Sequence, residues 1–105
     1  MAYGLILTTA SSLKEARQLA KILIQARAAA CVSLSSPVES LYRWKGKVEK
    51  SREVMLFIKA RTQAFKRIET LIRQNHTYAV PEILLLPIRR GSAAYLKWLR
   101  QETRP

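Results

Sequence analysis

The 105-residue chain contains no aspartate, one cysteine and one histidine. One cysteine cannot form an intramolecular disulfide, and so little cysteine is typical of a reducing compartment, so we expect the cytoplasm. No apolar run approaches the roughly 20 residues that span a bilayer, so no membrane-spanning helix is expected. Without aspartate, a second histidine, or an HExxH, P-loop or GxGxxG motif, acid–base catalysis is disfavoured, and we predict a protein that is not an enzyme.

Positive charge is what the chain has in excess. Nineteen Lys and Arg against seven Glu give a net charge of +12. Such a surface attracts nucleic acid, but the basic residues are spread along the whole chain and match no zinc-finger or RRM pattern. A solvated basic surface is therefore favoured, and nucleic-acid binding is expected only as a nonspecific interaction.

The first third of the chain predicts a strand, a helix and a second strand. The apolar run 3–9 favours a buried strand. Ser12 and Glu15 follow with the spacing of a capping box, in which two side chains satisfy free backbone N–H groups reciprocally. Apolar residues then recur at helical spacing, which predicts an amphipathic helix over 13–28. The small-residue run 28–34 predicts the second strand.

The next segment predicts a long β-hairpin. Its arms, 30–43 and 47–60, are joined by Lys45 and Gly46, and Gly46 supplies the positive φ of a tight turn. Pro37 requires a bend, a bulge or an edge position. The arms exceed the common strand length of about five or six residues, and they would leave edges and apolar side chains in water. We therefore predict a homo-oligomer in which sister chains cover the hairpin.

The second half predicts a helix, a strand and a helix. Thr62 is a candidate N-cap for the second helix. The apolar run 80–88, bounded by prolines, predicts a buried strand. Ser92 is placed to cap a short last helix. The order βαββαβ plus a helix matches an α+β ferredoxin-like sandwich with a long hairpin, and we predict one domain over 1–105.

Four segments resemble, in order and spacing, the CutA family of divalent-ion tolerance proteins. They are AACVSL (29–34), SLYRWKGKVEKSREVMLFIKA (40–60), HTYAVPEILLLPIRRG (76–91) and YLKWL (95–99). The resemblance implies a cytoplasmic homotrimer that packs like the PII signalling proteins, with hairpins completing sheets between subunits. It also implies a role in tolerance of copper and other divalent metals, and no established enzymatic activity.

The resemblance further implies a candidate site in a cleft between subunits. Four positions depart from the family pattern. Ser33 stands where Asn is usual and Thr77 where Pro is usual, while Thr8 and Asn75 stand where some members carry metal-binding Cys and His. A copper site carried over from those members would be incomplete, because Thr and Asn are poor ligands for such metals. The positions that match the cleft lining are Cys31, Trp44, Lys59, His76, Tyr78 and Glu82.

Three of these residues are candidate ligands for Cu(II) or another divalent metal. His76 carries a suitable imidazole, and it equally suits the end of the second helix, where a ring N–H can face free carbonyls. Cys31 is favoured as a small buried side chain, with metal binding as the alternative. Glu82 stands in an apolar run, so an ion pair with Lys59 or an arginine is favoured over a metal contact.

The leading hypothesis is a non-enzymatic trimer with weak divalent-metal binding between subunits. His76 is its main ligand, with Glu82 or Cys31 as supplements. Trp44 and Tyr42 near the hairpin tip suit either ligand stacking or an oligomer interface, and the interface is favoured.

The alternative hypothesis is a PII-like signalling or adaptor module. It would bind a small anion or a protein partner in the same cleft, and Lys59 and Arg61 would recognise the anion.

Overall fold

A computed structural model describes residues 2–104. It contains five strands and three helices, with a 3₁₀ turn over Thr62–Ala64 before the second helix. The elements are β1 (Tyr3–Ala10), α1 (Leu13–Gln25), β2 (Ala29–Leu34), β3 (Val38–Trp44), β4 (Lys47–Arg61), α2 (Phe65–Asn75), β5 (Leu84–Ile88) and α3 (Ala93–Glu102).

Four strands form an antiparallel sheet in the order β2-β4-β1-β5. The fifth strand, β3, pairs with the N-terminal part of β4, which projects beyond that sheet. This mixed fold confirms the predicted ferredoxin-like architecture. One face of the sheet packs against α1 and α2, because alternate residues of the central strands point to that face. Its core includes Ile6, Leu19, Leu23, Leu56, Ile58, Ile68 and Ile72, each at most 1% exposed.

The predicted long hairpin is present, and β4 explains its length. The C-terminal half of this 15-residue strand pairs with β2, and its N-terminal half pairs with β3. Pro37 lies between β2 and β3, so the partner arm is broken there, as expected for a residue without an N–H. Lys45 and Gly46 both have positive φ, 51° and 78°, which confirms the tight turn.

The start and end of α1 differ in detail from the prediction. Ser12 caps the helix by accepting from the Glu15 N–H at 3.1 Å, but the Glu15 carboxylate does not complete the capping box. It accepts instead from the N–H and hydroxyl of Ser11 and from the Thr77 N–H. The helix ends at Gln25, before the predicted residue 28, because Arg27 turns to φ 57° and stops the helical repeat.

Two predictions for the second half are corrected. Thr62 does not cap α2: it begins the 3₁₀ turn, and its N–H and hydroxyl both face the Ala2 carbonyl. The run 80–88 forms a strand only from Leu84, and Leu84 and Leu86 are 52% and 43% exposed rather than buried. The run is apolar, but β5 is an edge strand, and Leu84 and Leu86 lie on the face of the sheet opposite α1 and α2. Ser92 does cap α3, accepting from the Tyr95 N–H.

Within residues 2–104, no helix has the length and apolar character needed to cross a membrane.

Candidate functional site

A cleft of about 620 Å³ opens between the β3–β4 hairpin and the segment that follows α2. Three of the chain's seven glutamates line it, and none of the described lining residues is Lys or Arg. A protein of net charge +12 thus carries an acidic concavity. The lining residues are Thr9, Ser40, Leu41, Tyr42, Trp44, Glu49, Glu53, Tyr78, Ala79, Val80 and Glu82.

The register of the hairpin places several of these side chains on one face. Tyr42 pairs with Glu49, and Val38 pairs with Glu53, so these residues share a face of the ribbon. Trp44 follows Tyr42 at the two-residue period of a strand and joins that face. Alternation along β3 and β4 therefore combines aromatic rings with carboxylates.

Tyr78 connects the hairpin to the opposite wall of the cleft. Its hydroxyl donates to Glu53 Oε2 at 2.9 Å. Burial, together with the hydrogen bond and the negative charge of Glu53, raises the pKa of Tyr78 to about 12. The protonated phenol holds one oxygen of the carboxylate of Glu53, a residue that is only 9% exposed.

His76 lies behind Tyr78, and both of its ring nitrogens are engaged. Nε2 lies 2.6 Å from the Thr9 carbonyl, and Nδ1 accepts from the Tyr78 N–H at 3.0 Å. Since a carbonyl can only accept, Nε2 carries the proton, and this tautomer satisfies the ring. The imidazole also contacts the Tyr78 ring, with centroids 4.8 Å apart. His76 therefore positions the wall of the cleft and presents no free nitrogen to it.

Glu15 fixes the same segment from the other side. Its Oε2 accepts from the Thr77 N–H at 3.0 Å, and its Oε1 accepts from the Ser11 N–H at 2.8 Å. Burial alone would raise the pKa of Glu15, but the hydrogen bonds from Ser11 and Thr77 outweigh it and lower that pKa. Thr77 has an N–H that the Pro implied here by the resemblance would lack, and Glu15 accepts from it.

Cys31 and Lys59 lie on the sheet, outside the lining of this cleft. They pair across β2 and β4. The Lys59 ammonium donates to Ser33 Oγ at 2.6 Å and to the Phe57 carbonyl at 3.3 Å, and Cys31 Sγ lies 3.9 Å from the same Ser33 oxygen. The expected ion pair between Lys59 and Glu82 is not formed: Glu82 is exposed at the cleft.

Arg61 is also committed elsewhere. Its Nε donates to Thr103 Oγ1 at 2.8 Å, and its Nη2 donates to the carbonyls of Arg100 and Thr103 at 2.6 and 3.0 Å. These contacts cap the C-terminal end of α3 with a positive charge, where the helix dipole favours one. Arg61 is 9% exposed, so the guanidinium proposed for anion recognition serves the fold.

The structure therefore brings together only part of the expected site. Trp44, Tyr78 and Glu82 line the cleft, His76 supports it, and Cys31 and Lys59 do not reach it. Among residues 2–104, no three His, Cys, Asp or Glu side chains gather closely enough to hold a metal ion.

Glu49 and Glu53 are lining residues that sequence reasoning did not single out. The signal that could have found them is the two-residue alternation along 47–53. It places Glu49 and Glu53 on the same face of the hairpin as Tyr42. Thr8 and Asn75, at the departures from the family pattern, are not directed to this site. Thr8 is fully buried, and the Asn75 amide donates to the Leu71 carbonyl at 2.8 Å.

Comparison with known proteins gives a consistent result. The family model for CutA1 divalent ion tolerance protein matches residues 4–102. The divalent-cation tolerance protein CutA of Thermus thermophilus is 42% identical over 98 residues, covering 93% of this chain and 95% of that protein. Human protein CutA is 38% identical over 90 residues, and the match covers 86% of this chain but 50% of the human protein.

A solved structure agrees with this similarity. The divalent cation tolerance protein Cut A1 from Thermus thermophilus superimposes with a TM-score of 0.95 at 40% identity, covering 97% of this chain and 99% of that one.

Proposed function

The chain belongs to the CutA1 divalent ion tolerance family, and from that premise we propose that it acts in tolerance of copper or other divalent cations. In this proposal it is a non-enzymatic homotrimer of the cytoplasm that binds such cations weakly in clefts between subunits. The cation is the cargo of the protein, and no chemical step is required.

The acidic cleft is the observation that carries the proposal. Glu49, Glu53 and Glu82 line one concavity, and within the described part of the chain none of them forms an ion pair. Carboxylates that share one cleft give it a negative potential, and that potential attracts a cation. The lining has no Lys or Arg among the described residues, so no positive side chain occupies the cleft wall itself.

Assembly is part of the proposal because one chain leaves the site open. Leu41 and Val48 on the hairpin are 65% and 63% exposed, and the apolar side chains of β5 are exposed as well. Burial of such surface is the main favourable term in subunit association. A sister chain that covers the hairpin would also close the cleft and could add ligands to it.

Among the predicted ligands, Glu82 is the most accessible to a cation, because its side chain is exposed at the cleft. His76 can bind a metal only after it gives up its contacts with the Thr9 carbonyl and the Tyr78 N–H. Leaving such polar groups without partners costs about 1–3 kcal/mol. The fit of His76 to a metal is therefore poor in this arrangement, and weak binding follows. Cys31 would need a ligand set supplied by another subunit.

Titration calorimetry with Cu(II) tests this proposal. We expect saturable uptake that Glu82→Gln weakens at least threefold, while Glu69→Gln, a matched change on α2 outside the cleft, leaves it unchanged. His76→Ala separates two roles: a ligand role predicts loss of uptake, and a positioning role predicts weakened uptake with restored affinity in His76→Gln. Cation binding that is absent in the wild-type protein, or unchanged in both Glu82→Gln and His76→Ala, contradicts the proposed site.

The structure favours the cation over the alternative small anion. The cleft is lined by glutamates, and Arg61 and Lys59, the expected anion-binding groups, are held by contacts within the fold. Saturable phosphate binding without a response to metals would reverse this preference.

A further inference from the structure

The walls of the acidic cleft are aromatic. Two of the four tyrosines and one of the two tryptophans line it, alongside the three glutamates. Tyr42 and Trp44 are 43% and 48% exposed on one face of the hairpin. Tyr78 stands on the opposite wall, where its hydroxyl is fixed by Glu53 and its ring by contact with His76.

Aromatic faces together with carboxylates are the chemistry that recognises an organic cation. A ring quadrupole attracts an ammonium or guanidinium group placed over its face, and carboxylates add Coulomb attraction and accept its N–H groups. A bare metal ion gains little from aromatic rings, because its preferred ligands are oxygen, nitrogen and sulfur atoms.

The size of the cleft agrees with such a ligand. Its volume of about 620 Å³ lies within the range of sites for small organic molecules, which is roughly 300–1,000 Å³.

Ser51 is a polar residue next to this lining. Its Oγ is buried and has no hydrogen-bond partner among residues 2–104. Ser51 lies between Glu49 and Glu53 in β4 at the two-residue period, and it pairs with Ser40, which lines the cleft. A buried hydroxyl without a partner is rare in native proteins. Ser51 is not itself a lining residue, so the carboxylates and rings of the lining carry the inference.

We propose that the cleft binds an alkylammonium or guanidinium group between Trp44, Tyr42 and Tyr78, with Glu49, Glu53 and Glu82 as its counter-charges. The inference rests on the proposed function only in treating the cleft as a cation site. The group belongs either to a free polyamine or to a lysine or arginine of a sister chain, and the same lining recognises both.

Spermidine is the probe for the free cation. In a Trp98→Phe background Trp44 is the only tryptophan, so its fluorescence reports on the cleft. We expect a saturable change with spermidine at physiological salt, weakened at least tenfold in Glu49→Gln. Calorimetry of Trp44→Leu should show a loss of roughly 2- to 30-fold, the range that cation–π attraction spans.

Glu39→Gln is the matched control. Glu39 lies on the other face of the same hairpin, where it meets Lys50 at 3.8 Å, so its substitution removes the same charge at a similar place outside the cleft. Spermidine binding should be unchanged in this variant. An equal loss in Glu39→Gln and Glu49→Gln would show general charge attraction and would overturn the inference.

Light scattering of the same variants identifies a sister chain as the source. If spermidine does not bind but Glu49→Gln lowers the assembly mass and Glu39→Gln does not, the cation is a neighbouring side chain, and the inference stands. If spermidine does not bind and the assembly mass does not change in either variant, the inference is overturned. Cu(II) titration of these samples separates the two proposals. Spermidine binding without Cu(II) uptake would contradict the proposed metal function and leave this inference standing.

Discussion

His76 is a residue whose type suggested one role and whose contacts give it another. Histidine is a common metal ligand, so the only histidine of the chain was a natural candidate. Its Nε2–H donates to the Thr9 carbonyl and its Nδ1 accepts from the Tyr78 N–H, so the ring joins β1 to the segment after α2. The imidazole thereby fixes Tyr78 in the wall of the cleft.

Removal of this ring should destabilise the fold. In His76→Ala the Thr9 carbonyl and the Tyr78 N–H lose their partners, so we expect the free energy of unfolding to fall by about 1–3 kcal/mol. Urea denaturation measures the change, with Gln74→Ala on the exposed side of α2 as the control. A loss no larger than that of the control would show that water replaces the imidazole at no cost.

Tyr78 gives a pH-dependent prediction. Because burial and Glu53 raise its pKa to about 12, the phenol is protonated in the folded protein at pH values where it ionises in the unfolded chain. The folded state then binds more protons, so stability is complete below pH 10 and declines as pH rises towards 12.

Ultraviolet absorbance of tyrosinate follows this titration. We expect one of the four tyrosines to ionise near pH 12, and the step to disappear in Tyr78→Phe. Its persistence in that variant would assign the late titration to another tyrosine.

At the scale of elements, Glu15 joins two parts of the fold that are distant in sequence. It lies in the first turn of α1 and accepts from the N–H of Ser11 and of Thr77. One carboxylate therefore accepts hydrogen bonds from a backbone N–H at the start of the helix and from another in the loop that supports the cleft. The S-x-x-E spacing predicted a reciprocal capping box, and the tertiary contact with Thr77 took the carboxylate instead.

We expect Glu15→Gln to lower stability by about 1.5–3 kcal/mol at neutral pH, the range for hydrogen bonds to charged groups. The pKa of Glu15 is lowered from 4.5, so its contribution is present above pH 4.5 and is lost as pH falls through the folded-state value. Chemical denaturation at pH 7 and pH 3 should therefore show a smaller difference between variant and wild type in acid. Glu82→Gln, at an exposed carboxylate without an ion pair among residues 2–104, is the control, and an equal deficit at both pH values would contradict the assignment.

The whole molecule is elongated, with extents of 44 × 25 × 24 Å, because the hairpin projects from the sheet. On the face of the sheet opposite α1 and α2, the β1–β5 side is apolar: Leu84 pairs with Leu7 and Leu86 with Leu5, and these side chains share that face. Since a protein monomer rarely exposes a large contiguous apolar surface, the shape and the open face support the proposed assembly.

Static light scattering should give a mass of about 36 kDa at micromolar concentration, three times the 12.0 kDa of the chain. Leu84→Glu places a charge on the open face and should lower the mass towards that of one chain, because burying an unpaired charge is costly. Ile24→Glu, at an exposed position of α1, should leave the mass unchanged. A folded wild-type chain with the mass of a single copy would refute the assembly.

Sequence by itself determined the type of each helix and strand and their order along the chain, because these follow from local patterns. The two-residue and 3.6-residue periods, the Ser12 and Ser92 caps and the Gly46 turn act over a few residues and are visible in the chain. The family resemblance likewise depended on order and spacing, and the family match confirms it.

Only the tertiary structure decided what surrounds each side chain. Glu53 came to accept from the Tyr78 hydroxyl, the nitrogens of His76 found backbone partners, and Arg61 was used to hold α3. These contacts join residues far apart in the chain, so no local period encodes them. Exposure of β5 has a similar cause, because the burial of an apolar run depends on what packs against it rather than on its own composition.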